Sequence, residues 1–286
     1  MKKRQKQAGD ENFPVVSFLL DKENQNTVAA YYDFARKGDD IADDPDLNAE
    51  QKLCRLSEME QALYGKAPGE SPEVQAASRL RDIFLHENLD FSLASDLLAA
   101  FRQDAEGMVY ETWGQLMRYC SFSAAPVGRF MLAIHDENPS TYLPANALCA
   151  ALQIVNHIQD LKYDAKILKR VYIPLDLQKK FKVKPAALLK DKASANLQRL
   201  IKDILSRVNG LLQDAEILPA IVKSRRLRME ICIIFSLTNI MVKKIDNGDV
   251  LAQEIKLSKF DWLKATLSGL AKGMLIRPKT LTNKGL

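Results

Sequence analysis

Apolar residues recur three and four positions apart through 27–43, 47–64, 73–86, 91–104, 111–135, 142–166, 186–212, 226–246 and 250–275 of this 286-residue chain. That spacing gathers them on one face of an α-helix, whereas a half-buried strand needs strict alternation, and no convincing alternating run is present. The pattern predicts an all-α chain. Its breakers agree: Ala67-Pro68-Gly69-Glu70-Ser71-Pro72 closes one helix and opens the next, with Ser71 placed as cap and Pro72 in the first turn. Asp136-Glu137-Asn138-Pro139-Ser140 separates another pair. Connections are short, no Gly/Ser-rich linker divides the chain and no fixed period repeats, so the helices are expected to pack as one domain over residues 11–276. The basic residues 1–10 and the tail 277–286 are expected to be flexible ends.

Two acidic stretches lie inside these helical patterns. In Asp39-Asp40-Ile41-Ala42-Asp43, Asp39 and Asp43 project together, and Asp40 is one step of three from Asp43. In the second, Gln153, Asn156, Asp160 and Asp164 follow at steps of three, four and four, stacking two amides and two carboxylates along one stripe. Like charges at i,i+4 destabilise a helix by roughly 0.2–0.5 kcal/mol per pair. Each face is therefore either solvated or offset by a cation. Mg²⁺ takes hard oxygen ligands, typically carboxylates, waters and substrate phosphates. Two oxygen-rich faces opposed across a cavity favour a Mg²⁺-bridged diphosphate, with Asp39, Asp40, Asp43, Asn156, Asp160 and Asp164 as candidate metal ligands. Directly after the second face, Lys166, Lys169 and Arg170 are placed either to meet phosphate oxygens or to stay solvated.

The net charge of +5 is unevenly spread. From position 256 onward come Lys256, Lys259, Lys264, Lys272, Arg277, Lys279 and Lys284, while Phe260, Leu263, Leu267, Leu270 and Met274 keep helical spacing. Such a helix either lies on an anionic membrane surface or docks on the core with its basic face in water. The expected location is cytoplasmic, peripheral on the inner membrane face if the first holds. A nucleic-acid partner is not expected, because no zinc-finger, helix-turn-helix or RNP pattern is present. Cys54, Cys120, Cys149 and Cys232 stand singly with no CxxC spacing, which predicts buried thiols in a reducing compartment, not a zinc site or disulfides. No apolar run follows the basic Met1-Lys2-Lys3-Arg4-Gln5-Lys6, and none reaches transmembrane length, so neither a signal peptide nor a spanning helix is expected.

Three ordered motifs resemble the squalene and phytoene synthase family. Tyr32-Asp33-Phe34-Ala35-Arg36-Lys37-Gly38-Asp39-Asp40-Ile41-Ala42-Asp43 is similar to its first acidic signature. Tyr110-Glu111-Thr112-Trp113 through Tyr119-Cys120 to Ala124-Ala125-Pro126-Val127-Gly128 resembles its central helix, which ends in a small-residue bend. Gln153-Ile154-Val155-Asn156 with Asp160 and Asp164, then Arg170-Val171-Tyr172-Ile173-Pro174, is similar to the second signature. The resemblance covers about residues 12 to 174 and fades beyond. It departs at Gln159 and Tyr163, where the family usually has Arg and Glu, and at Lys169, where a Gly is expected. Asn12-Phe13-Pro14, Gln159-Asp160 and Ala125-Pro126-Val127-Gly128 look most like the family's bacterial hydroxysqualene synthases of hopanoid pathways.

The resemblance implies an isoprenoid-synthase-type helical bundle with a central active-site cavity. It implies a Mg²⁺-dependent enzyme taking presqualene diphosphate to hydroxysqualene, paired with an enzyme that makes that substrate and a reductase that consumes the product. Asp39, Asp43, Asp160 and Asp164 would act through the metal, and Arg36 would donate to the diphosphate or pair with Asp33 or Asp40 on its own face. Phe13, Tyr32 and Tyr119 are candidates to line the pocket, cation–π contacts contributing roughly 0.5–2 kcal/mol each; Tyr32 and Tyr119 fit equally as core aromatics with bonded hydroxyls. Gln153, Gln159, Tyr163 and Tyr172 are the polar residues nearest the site by sequence, with Tyr163 the first candidate to guide a water. His157 is expected to point off the acidic stripe, and neither it, His86 nor His135 is expected to be a ligand or triad base. No GxGxxG is present, which fits water capture better than reduction by a nicotinamide. Two other readings stay open: head-to-head coupling of two farnesyl diphosphates, and a non-catalytic assembly factor for a respiratory complex.

Overall fold

The structure, a computed structural model, describes residues 22–66 and 69–277. Phe13 and the two chain ends fall outside the described residues. Helices α1 (Lys22–Ala42), α2 (Ala49–Leu63), α3 (Pro72–His86) and α4 (Ser92–Glu106) come first, then α5 (Trp113–Ser123), α6 (Ala125–Ala133) and α7 (Tyr142–Gln159). After the short α8 (Leu161–Tyr163) and α9 (Leu175–Lys180) come α10 (Ala195–Ala215), α11 (Leu218–Ile221), α12 (Arg225–Asp246) and α13 (Lys259–Leu275). No strand occurs among the described residues.

Caps set several of these boundaries. Ser71 accepts from the Val74 N–H with Pro72 at the first helical position, while Asn48 and Gln51 close a capping box at the start of α2. The first four helices pack around Phe34, Leu56, Met59, Leu63, Leu80 and Phe84, with Phe130 of α6 inserted among them. The Tyr31 and Phe130 rings stack at 3.9 Å, and the Tyr31 hydroxyl donates to the Leu93 carbonyl. A second core gathers α5, α7, α10 and α12, where α7 lies between α6 and α10. The C-terminal ends of α1 and α4 are tied by Arg170 to the segment that follows the break after α7.

Four predicted segments are cut differently. The stretch 111–135 divides at Ala124, whose backbone leaves the helical region before Pro126 restarts a helix. The stretch 142–166 stops at Gln159, and after α8 the chain widens into a π-helical turn, Asp164–Leu168. Such turns are frequent at functional sites. Residues 186–212 begin with a 3₁₀ turn, Pro185–Leu189, and α10 starts only after the Ser194 cap. Residues 250–258 are not helical, because the Ser258–Asp261 capping box fixes the start of α13. A further correction concerns Cys54, which is exposed; Cys120 and Cys232 are buried and Cys149 half-buried.

Lys169 closes the π-helical turn with φ 58° and ψ 30°. That left-handed conformation explains why glycine suits the position. Lys169→Gly is expected to raise stability by up to about 1 kcal/mol, the strain of a Cβ there less the extra freedom glycine gives the unfolded chain. A urea midpoint that stays or falls would show that the Lys169 Nζ bond to the Lys166 carbonyl, 2.8 Å, outweighs the strain.

Candidate active site

At the end of α1, Arg36 Nη2 lies 2.9 Å from Asp40 and Nη1 lies 3.2 Å from Asp39. The guanidinium thus spans its own helix face, the second of its two sequence expectations. One turn on, Asp43 meets Arg170 at 2.5 Å. Arg170 also donates through Nη2 to the Ala42 carbonyl and through Nε to the Asp104 carbonyl, so all three faces of its fork are used inside the protein. This corrects the solvated or phosphate-facing alternatives for Arg170: it is a strut joining the ends of α1 and α4 to the segment after the second motif. Lys166 and Lys169 remain exposed.

Burial, then the Asp43 carboxylate, push Asp39 up to about 7; Asp104 and Asp40 add to the rise and Arg36 opposes it. The Asp39 side chain is nonetheless 42% exposed, so it is recessed among the helices yet reachable. Four carboxylates, those of Asp39, Asp40, Asp43 and Asp104, crowd here around the guanidiniums of Arg36 and Arg170. A divalent cation would relieve that crowding, and the donors on offer are hard oxygens. Among the described residues, no three His, Cys, Asp or Glu side chains converge as a preformed metal cage.

Asp104, near the end of α4, accepts from the hydroxyls of Tyr119 (2.8 Å) and Tyr172 (2.7 Å). Burial raises its carboxyl pKa, while Arg170 and the two phenols pull against the rise. Around it the rings of Tyr110, Tyr119, Tyr172 and His157 form one aromatic cluster, with His157 stacked on Tyr172 at 3.6 Å. Tyr119 and Tyr172 are buried, with bonded hydroxyls. The buried Tyr110 hydroxyl meets no hydrogen-bond partner among the described residues.

On α7, the Gln153 side-chain nitrogen lies 3.2 Å from His157 Nε2. With the amide donating there, Nε2 accepts and the ring proton sits on Nδ1, 3.8 Å from Asp164. Burial pushes His157 down to about 4, with the Asp104 and Asp160 carboxylates opposing it. The ring is therefore neutral at physiological pH, and it turns toward Asp164 and Tyr172. That corrects the expectation that it points off the stripe. A cavity of about 20 Å³ lies beside His157, Asp164 and Tyr172, room for one water. Asp160 ends α7, and Asp164, buried, opens the π-helical turn. Asn156 and Tyr32 are half-buried. Gln159 turns elsewhere, donating to the Ile255 carbonyl before α13, and Tyr163 is 47% exposed.

Asp104 and the bridging part of Arg170 were not legible in the sequence. Near a helix end, Phe101-Arg102-Gln103-Asp104 reads as an ordinary solvated terminus. Only the packing of α4 against α5 and the Arg170 segment turns that carboxylate inward.

Residues 6–261 match the family described as Squalene/phytoene synthase. The chain is 35% identical over 268 residues to the hydroxysqualene synthase of Rhodopseudomonas palustris, covering 94% of this chain and 90% of that protein. It is 34% identical to the hydroxysqualene synthase of Zymomonas mobilis, with 89% and 85% covered. Among solved structures it is similar to a squalene synthase from Alicyclobacillus acidocaldarius, with TM-score 0.70, 26% identity and coverage of 82% and 87%. A dehydrosqualene synthase structure shares the fold at TM-score 0.73 and 23% identity, with 89% and 88% covered. A match of this length, to a chain whose α1 and α4 ends are tied by Arg170 beside one aromatic cluster, has one conclusion: the chain belongs to the squalene/phytoene synthase family.

Proposed function

We propose that this chain is an enzyme that converts presqualene diphosphate to hydroxysqualene and releases diphosphate, a carbon–oxygen lyase step. The carrying observation is sustained likeness to three hydroxysqualene synthases, at 35%, 34% and 33% identity over 94%, 89% and 92% of this chain. The catalytic unit is residues 11–276. An enzyme that makes presqualene diphosphate supplies it, and a reductase takes its product. The substrate joins long apolar isoprenoid tails to a charged diphosphate and the product is almost wholly hydrocarbon, which suits work beside a membrane; among the described residues no helix is long and apolar enough to cross one.

Asp39, Asp40 and Asp43 on one side and Asn156, Asp160 and Asp164 on the other would hold Mg²⁺, a reading supported by the raised Asp39 and the all-oxygen donor set. When bound, Mg²⁺ supplies Lewis-acid stabilisation of the departing diphosphate. The chain's residues do the rest. Arg36 keeps the first carboxylates in place until the diphosphate arrives and then offers it a donor fork. Breaking the carbon–oxygen bond leaves a cyclopropylcarbinyl cation, which Tyr32, Tyr119 and Phe13 shield with their ring faces. Because His157 is neutral, the imidazole adds no positive charge of its own to the aromatic cluster. Gln153, through His157, and Tyr172, through Asp104, hold the cluster rigid. Water then bonds to the rearranged cation and gives up a proton to the released diphosphate, with Tyr163 and Gln159 the residues to substitute in search of its guide.

Product analysis by mass spectrometry tests the reaction, with presqualene diphosphate or farnesyl diphosphate, Mg²⁺ and no reductant. Hydroxysqualene from presqualene diphosphate alone is expected. A C30 product from farnesyl diphosphate would make the chain a coupling enzyme instead.

A further inference from the structure

An amphipathic helix that closes a core normally turns its large apolar side chains inward. Helix α13 does the reverse. Ala265, Gly269 and Gly273, four residues apart, are its buried residues. A Cβ added to Gly269 would lie 2.6 Å from the Ile233 backbone, and one added to Gly273 would lie 2.6 Å from Met229 Cα. Small residues thus bring α13 tight against α12, with Trp262 and Leu270 filling the flanks. The large side chains are left on the opposite face: Phe260 is 72% exposed, Leu263 56%, Leu267 61% and Met274 55%. Steps of three, four and seven place these four in one stripe.

Charge says what covers that stripe. Lys259, Lys264, Lys272 and Arg277 are exposed on or beside α13. Asp261, the sole acidic residue between 256 and 277, is held by Ser258 and by Lys244 at 2.9 Å. An apolar stripe flanked by Lys259 and Lys264, with Lys272 and Arg277 nearby and its one carboxylate already neutralised, complements anionic headgroups over acyl chains. We propose that the outward face of α13 docks in the plane of an anionic lipid bilayer. The reaction assigned above explains why a membrane is wanted, and the docking rests on that reading only for its purpose.

Vesicle flotation of the full chain tests this, using phosphatidylglycerol–phosphatidylcholine vesicles against phosphatidylcholine alone. The chain is expected to float with the anionic vesicles only, less so as salt rises. The double variant Leu263→Gln, Leu267→Gln is expected to lose at least about tenfold in bound fraction with an unchanged melting temperature, since both side chains are exposed. Absence of flotation, or equal flotation of the variant, would overturn the proposal. So would a dimer on sizing that the double variant abolishes, which would put a second copy on this face. Flotation without hydroxysqualene formation would refute the reaction and leave the docking face standing; turnover of detergent-dispersed substrate without flotation would do the opposite.

Discussion

Arg170→Leu is expected to cost about 3–5 kcal/mol of folding stability, the range for breaking a buried ion pair by removing one partner. The cost has three sources at one side chain. Asp43 loses its partner, and the carbonyls of Ala42 and Asp104 lose their donors at 2.7 and 2.9 Å. Arg170 itself is 9% exposed, so little water can replace it. Asp104 also loses a positive neighbour that counters the effect of its burial. Urea unfolding monitored by circular dichroism reads the loss. Arg170→Lys separates charge from geometry: a point charge can satisfy Asp43 but not both carbonyls, so that variant should fall between wild type and Leu. A Leu variant within about 1 kcal/mol of wild type would mean that the desolvation of the pair cancels its attraction.

What the sequence could and could not tell follows from the range of the forces. Helix existence and caps are local: Ser71-Pro72 acts as its spacing predicts, and the Asn48–Gln51 capping box is a contact of the same short range. The broken helix after Gln159 is not local. The apolar period runs on through residue 166, but the Lys162 ammonium reaches the Leu251 carbonyl and Asp191, Gln159 reaches Ile255, and Arg170 pulls the next turn toward α1. Tertiary contacts override the period there. The acidic stripes were readable because three- and four-residue steps are a property of one helix. Asp104 was not, because its neighbours Tyr119 and Tyr172 lie 15 and 68 residues away. On α13 the period was correct and the orientation ambiguous. Two stripes, one small and one large, compete for the core, and only the close approach at Gly269 and Gly273 decides for the small one.

Asp39→Asn is expected to lower hydroxysqualene formation by at least about a thousandfold, since Lewis-acid stabilisation of a leaving group is worth several kcal/mol. The same substitution is expected to make the metal-free protein more stable at pH 8. Asp39 titrates near 7 in the folded chain, against 3.8 for a free aspartate. Between those values the folded state holds a proton that the unfolded state has lost, so this group's stabilisation is complete below about pH 4 and is lost as pH rises through 7. His157, held down at about 4, works in the opposite sense, its contribution being lost as pH falls from its free value of 6.5 toward 4. The measurement is therefore a difference: wild type and Asp39→Asn are unfolded in urea at pH 5 and pH 8 without metal. The variant's advantage should appear at pH 8 and shrink at pH 5, where Asp39 of the wild type is already neutral. Mg²⁺ with inorganic diphosphate should stabilise the wild type at pH 8 and leave the variant nearly unmoved, a readout that needs no turnover. An Asn variant that is no more stable at pH 8 would mean that Arg36 already neutralises Asp39. A carboxylate that weakens the empty protein and strengthens the loaded one is strain kept for its ligand.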